Sequence, residues 1–264
     1  MNWLEEAKEA AEEVFSVLGE GWKESVYEEA LAHEFRLRKI PYERQRNFEI
    51  LYKGYKVGDG RADLILNPLW AGKGGKEFVL ELKAVKRIRD SHIRQVQVYM
   101  ISLNIDEGGV LSFGDGIVLE RVSKPQKILE KGVVKPSRSR KEIETILKHA
   151  AKTVYDYFGV EFLYRERGLE IFPNAIGVEL RLNGIDFSAS DFPICYKYHQ
   201  VETYNFNFVF KNMNVANVLY YKNEEEIDEE LKRLKPLLRE LKINKCYLIC
   251  IPLNADDKVL LETM

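Results

Sequence analysis

A chain of 264 residues, 45% apolar and 31% charged, can form one large or two small domains with a sizeable core. Its formal net charge of −2 excludes bulk electrostatic attraction as grounds for a polyanionic partner. No apolar run reaches the ~20 residues of a membrane span, and the acidic N-terminus lacks a basic region ahead of an apolar core, so a cytoplasmic location without membrane association is expected.

Trp3, Leu4, Ala7, Ala11, Val14, Phe15 and Leu18 recur at helical spacing and predict a first helix that Gly19 and Gly21 stop. A second helix is expected over 22–39, burying Tyr27, Ala30, Leu31 and Phe35 and carrying Glu24 and Glu28 in its first turns; Pro41 closes it. Over 43–57, Phe48, Ile50 and Tyr52 alternate with Asn47, Glu49 and Leu51, which predicts strand structure with a turn at Lys53 and Gly54. Two more strands follow at 62–66 and 78–84, joined by an exposed connection whose scattered glycines do not suit a phosphate-cradling loop. Asp90 or Ser91 caps the next helix, which places Gln95 and Tyr99 four apart on one face. Short strands at 109–113 and 117–122 flank Gly114 and complete a mixed sheet with helices packed against it.

The strand period of two puts Glu81 and Lys83 on one face and Phe78, Leu80 and Leu82 on the other. If the two strands are neighbours, Asp63 joins that polar pair. Two carboxylates and an ammonium between apolar layers are costly unless a divalent cation or a tight ionic network compensates. Oxygen ligands suit Mg2+, which can stabilise the charge that builds up on a phosphate in hydrolysis. The plainer alternatives are a turn acceptor at Asp63 and a partly exposed ion pair of Glu81 with Lys83. Beside them Lys86, Arg87, Arg89 and Arg94 form a basic run, able to contact phosphates or simply to be solvated.

Residues 123–140 are rich in Lys and Arg and poor in large apolar residues, and are read as a linker, with one short turn around Ile128 and Leu129, between domains at 1–122 and 141–264. The second domain opens with a helix through Ile143, Leu147, Ala150, Val154 and Phe158, followed by strands at 160–164, 177–182 and 185–187. Further strands are expected at 204–210 and 217–221, then a helix over 225–241 that Pro236 should kink or divide, and a last strand at 246–252. In that strand Cys246 and Cys250 would stand roughly 13 Å apart, too far to share a metal, and with Cys195 they are too few for a disulfide scaffold. The element order repeats that of the first half. Position by position, Lys53 and Gly54 fall against Asn183 and Gly184, Asp63 against Asn207, Glu81 against Tyr220 and Lys83 against Lys222. A duplicated unit stripped of its carboxylates and convergence on a generic order both fit.

Over residues 1–122 the chain resembles the PD-(D/E)XK nuclease superfamily and, within it, the family named after a GxxExxY motif. Gly21, Glu24 and Tyr27 match that motif, with Gly19 ahead of it; Arg61, Ala62 and Asp63 resemble the family's RAD segment and Glu81, Leu82 and Lys83 its ELK segment; His92, Gln95 and Tyr99 match the helix that follows. The resemblance implies an α/β, restriction-endonuclease-like mixed sheet flanked by helices, and hydrolysis of nucleic-acid phosphodiesters with Mg2+ or Mn2+; over residues 141–264 it is faint and the acidic residues of the pattern are missing. It implies that Asp63, Glu81 and the carbonyl of Leu82 hold the metal and that Lys83 orients water or stabilises the transition state. Glu24 would reach the metal through water, Gln95 would orient water or phosphate, and Lys86, Arg87, Arg89, His92 and Arg94 would meet the nucleic acid, with DNA the expected substrate; for His92 a place at the helix start is the alternative. A homodimer or a protein partner is a fold-level expectation. The competing functions are a non-catalytic nucleic-acid-binding protein and a structural or regulatory protein. The latter would use Tyr196, Tyr198, Tyr204, Phe206 and Phe208 as its partner surface rather than as core and strand-edge aromatics.

Overall fold

The computed structural model describes residues 3–72, 75–125, 143–164 and 168–264, and the chain divides into two units, Met1–Glu130 and Lys131–Met264. Most of the expected linker, with its turn around Ile128 and Leu129, lies outside the described residues.

In the N-terminal unit, helices α1 (Trp3–Leu18) and α2 (Glu24–Arg38) precede strands β1 (Tyr42–Tyr52), β2 (Tyr55–Leu66) and β3 (Phe78–Lys83). Helix α3 (Asp90–Leu103) then leads to β4 (Glu107–Phe113) and β5 (Ile117–Ser123). The sheet order is β1-β2-β3-β4-β5, antiparallel throughout except between β3 and β4, which α3 connects. A parallel pair needs such a crossover. One face of the sheet buries Leu64, Leu66, Phe78, Leu80, Leu82, Leu111 and Phe113 against Leu4, Ala7, Ala11, Leu31 and Phe35 of α1 and α2. Each large side chain removed from water there contributes roughly 1.5–3 kcal/mol. The other face meets α3, so close at Gly108 that a Cβ would come within 2.7 Å of the Met100 sulfur.

The C-terminal unit contains α4 (Ile143–Phe158), a 3-10 turn (Val160–Tyr164), α5 (Gly168–Leu182) and the strands β6 (Ser188–Tyr196), β7 (His199–Val209) and β8 (Asn214–Tyr221). Helix α6 (Glu224–Glu240) then leads to β9 (Lys245–Pro252) and β10 (Leu260–Thr263). Its sheet runs β10-β9-β8-β7-β6 with one parallel pair, β8 with β9, around the α6 crossover. The two units therefore share one topology. Several expectations are corrected. The runs at 160–164 and 177–182 are helical, and 185–187 precedes a strand at Ser188–Tyr196 that the pattern did not single out. Helix α6 continues through Pro236 rather than dividing; Asn223 caps it, accepting the Glu226 amide at 3.2 Å, and Glu224, Glu225 and Glu226 favour its positive end.

Candidate active site

The polar cluster sits where β2 and β3 part. Their ladder runs from Leu66↔Phe78 to Leu64↔Leu80, and one residue further the Asp63 side chain replaces the backbone: its Oδ2 accepts the Leu82 amide at 2.9 Å. A buried strand amide must find an acceptor, and a carboxylate there closes the sheet while remaining half-buried. Glu81 points to the α3 face and is fully buried. Its Oε1 accepts Lys83 Nζ at 2.8 Å and Gln95 Nε2 at 2.9 Å. Lys83, only 6% exposed, also donates to the Leu82 carbonyl at 3.1 Å. Gln95 Nε2 continues to the Tyr99 hydroxyl at 3.0 Å. Burial pushes the Tyr99 phenol well above its ordinary range, so it stays a neutral hydroxyl. Its ring packs edge-on against Phe48 of β1.

Glu81, Lys83 and Gln95 are thus joined by direct hydrogen bonds on one face, and Asp63 meets the same strand at the Leu82 amide. Among the described residues Gln95 Oε1 is buried without a hydrogen-bond partner, and no group of three or more His, Cys, Asp or Glu side chains is gathered to hold a metal. The oxygens available here are two carboxylates and one carbonyl, a hard donor set.

The segment leaving β3 is pinned by the β4–β5 turn. Ser112 Oγ donates to the Val85 carbonyl, and a Cβ on Gly114 would come within 2.4 Å of that oxygen. Beyond it Lys86, Arg87 and Arg89 are exposed and Arg94 is intermediate. His92 is placed differently from the other basic residues. It is 3% exposed, and its Nδ1 accepts the Arg89 amide at 3.1 Å, so it fixes the start of α3 and does not stand on the surface.

Glu24 opens α2 and is exposed, and no contact among the described residues joins it to Asp63, Glu81 or Lys83. The loop ahead of it is held by Tyr27, fully buried and stacked on Phe113 at 4.4 Å. The Tyr27 hydroxyl donates to the Gly19 carbonyl at 2.7 Å and accepts the Trp22 amide at 3.4 Å. Gly19 and Gly21 supply the positive φ values, 71° and 94°, that this turn requires. Sequence reading missed the ionic cluster nearby: Glu28, 9% exposed, accepts Arg44 Nε at 3.0 Å and Gln45 Nε2 at 3.1 Å. A buried Glu in a helix followed by basic residues on the next strand was its only signal.

The C-terminal unit builds the same junction from neutral residues. Phe208 pairs with Ala216 as Leu64 does with Leu80, and Asn207 Oδ1 accepts the Val218 amide at 2.7 Å. Counting from this clasp, Asn217 and Leu219 stand where Glu81 and Lys83 stand, which corrects the expected Tyr220 and Lys222; Asn207 does oppose Asp63. The turn facing Lys53 and Gly54 is Lys197 and Tyr198, not Asn183 and Gly184, and lies nine residues before the clasp in both units. Asn217 is consumed locally: it accepts the Asn207 amide at 3.3 Å and donates to the Tyr204 hydroxyl at 3.2 Å. That hydroxyl in turn donates to Glu230, which Arg233 holds.

No protein of curated function matches the chain. One solved structure that does, a crystal structure of SSO0001, is 19% identical with a TM-score of 0.32, over 39% of this chain and 51% of that one. The match spans about half of that protein and is too loose to carry an argument. A family model described as the PD-(D/E)XK nuclease superfamily matches residues 1–124, which hold every element from α1 to β5. Over residues 1–124, just under half of its length, the chain is similar to the PD-(D/E)XK nuclease superfamily.

Proposed function

We propose that the N-terminal unit is a divalent-metal-dependent nuclease acting on DNA, with Mg2+ or Mn2+ held by Asp63, Glu81 and the Leu82 carbonyl. The observation that carries this reading is the meeting of Asp63, Lys83 and Gln95 around Glu81 and the Leu82 peptide, at the fork of β2 and β3. The donor set fits: Mg2+ uses one or two carboxylates and takes its remaining ligands from water and substrate phosphate. Lys83 already lays its ammonium across two of the three proposed oxygens, so a cation is electrostatically at home there. The bound ion would supply Lewis-acid stabilisation of the phosphate and a water of lowered pKa.

This chain's own residues do the rest. Lys83 orients the attacking water or meets the charge that develops on the phosphate. Gln95 holds the Glu81 carboxylate in place and offers its free carbonyl oxygen to a water. Lys86, Arg87, Arg89 and Arg94 take the backbone phosphates, and His92 acts through the helix start that presents Arg89. Glu24 approaches the ion only through water. The C-terminal unit, whose equivalents of both carboxylates are amides, is a degenerate copy that supports the first unit or its assembly into a dimer or with a protein partner. The cytoplasm is the proposed compartment.

The test is cleavage of a panel of labelled DNA and RNA substrates with Mg2+ or Mn2+, comparing the parent with Asp63→Ala and Lys83→Ala. Metal-dependent cutting that both substitutions abolish supports the reading. No cutting by the parent, with nucleic-acid binding that survives loss of Asp63, overturns it in favour of a binding protein.

A further inference from the structure

The β6–β7 ribbon differs from its counterpart in a way its own fold does not explain. In the N-terminal unit the β1–β2 tip is covered: Tyr52 is buried, and Ser102 of α3 accepts the Leu51 amide at 3.2 Å. In the C-terminal unit residues 195–203 are exposed on both faces. Both tips carry Tyr-Lys, with the lysine over the preceding ring at 5.7 Å in one and 5.2 Å in the other.

The turn residue itself has changed. Gly54 has φ 77°, a conformation that suits glycine. Tyr198 occupies the equivalent place with φ 66° and a fully exposed side chain. A bulky residue in the left-handed region strains the backbone, and with the side chain fully exposed no burial among the described residues offsets the strain. Such a ring is placed for something outside the chain.

We propose that the Tyr198 tip is a nucleic-acid contact that stacks on an unpaired base, with Lys197 and His199 beside it to meet phosphate. This rests on the nuclease reading of the N-terminal unit. From Phe192 to Val201 the one formal charge is Lys197, with His199 beside it, and the carboxylates of Asp191 and Glu202 stand further from the turn, so the tip itself presents a cation to a polyanion. Aromatic rings beside cations are the working parts of single-strand binding surfaces. Pro193, in the edge strand β6, removes an amide that strand addition by a protein partner would use.

The test measures binding of fluorescein-labelled oligothymidylate to the full chain, to Tyr198→Gly and to Tyr198→Phe, with melting temperature recorded for each. Loss of one stacked base, ~1–3 kcal/mol, predicts binding weaker by about 5- to 150-fold for Tyr198→Gly. Tyr198→Gly should melt no lower than the parent because the strained residue is gone, and Tyr198→Phe should bind like the parent. Equal affinity of parent and Tyr198→Gly overturns the inference while leaving the nuclease reading intact. So does self-association of the parent that Tyr198→Gly abolishes, which would assign the tip to a protein contact. A parent that neither binds nor cuts any nucleic acid removes both readings together.

Discussion

Asp63 carries two jobs that a pair of substitutions can separate. Its Oδ2 closes the sheet by accepting the Leu82 amide at 2.9 Å, and under the proposed mechanism its charge holds the metal. Asp63→Ala loses both and leaves a strand amide without its acceptor, which costs ~1–3 kcal/mol when buried. Because Asp63 is half-buried, water recovers part of that, and the lower half of the range, about 1–2 kcal/mol, applies. For a unit of this size that is roughly 3–8 °C in Tm. Asp63→Asn keeps the clasp, since Asn207 makes the same bond to Val218 at 2.7 Å in the C-terminal unit, and should melt within about 2 °C of the parent. Cleavage should fall in both variants by several kcal/mol of lost charge stabilisation, on the order of a thousandfold. Tryptophan fluorescence during urea unfolding isolates the effect, because Trp3, Trp22 and Trp70 all lie in the N-terminal unit. Parent-like cutting by Asp63→Asn would refute the metal role. Equal destabilisation of the two variants would refute the clasp.

Gln95→Ala should raise the metal concentration needed for half-maximal cleavage by about 10- to 100-fold, with activity recovering at high Mn2+, because Glu81 loses the amide that orients it; a metal titration reads this directly. Tyr27→Phe should cost about 1 kcal/mol in urea unfolding and shift Trp22 emission, since the Gly19 carbonyl and the Trp22 amide lose their shared hydroxyl. Hydrogen bonds from Arg46 hold the carboxyls of Glu43 and Glu77 below the usual carboxylate value of 4.5. Groups depressed in the folded state stabilise above that value and lose the contribution as pH falls through their folded pKa. Arg46→Met should therefore be less stable than the parent at neutral pH, and the two urea midpoints should converge as the pH is lowered below 4.5.

The N-terminal unit was legible because its strands alternate. The same period of two that exposes a strand pattern places Glu81 and Lys83 on one face, and Asp63 needed only a neighbouring strand to join them. The C-terminal unit was not legible at 160–164 and 177–182, where short apolar runs fit strand and helix equally and Pro173 and Gly177 obscure the continuity of α5. The later positions slip by three residues, with Asn217 and Leu219 rather than Tyr220 and Lys222 standing where Glu81 and Lys83 stand, while Asn207 opposes Asp63. His92 admits two roles by sequence, a residue of the helix start or a phosphate contact, and only its burial and the bond from the Arg89 amide to its Nδ1 favour the first.

In both units the ribbon of the first two strands joins the rest of its sheet along a short seam, Leu64↔Leu80 to Leu66↔Phe78 in one and Phe208↔Ala216 to Val209↔Val215 in the other. The next strand is paired along its whole length with its parallel partner. Amide hydrogen exchange should accordingly find the ribbon opening as a cooperative unit of its own, at lower free energy than the parallel pair. Such a seam insulates the two halves of a sheet mechanically. Evolution can lengthen a ribbon, uncover it or change its turn while the strand pair across the seam, with whatever site it holds, keeps its register.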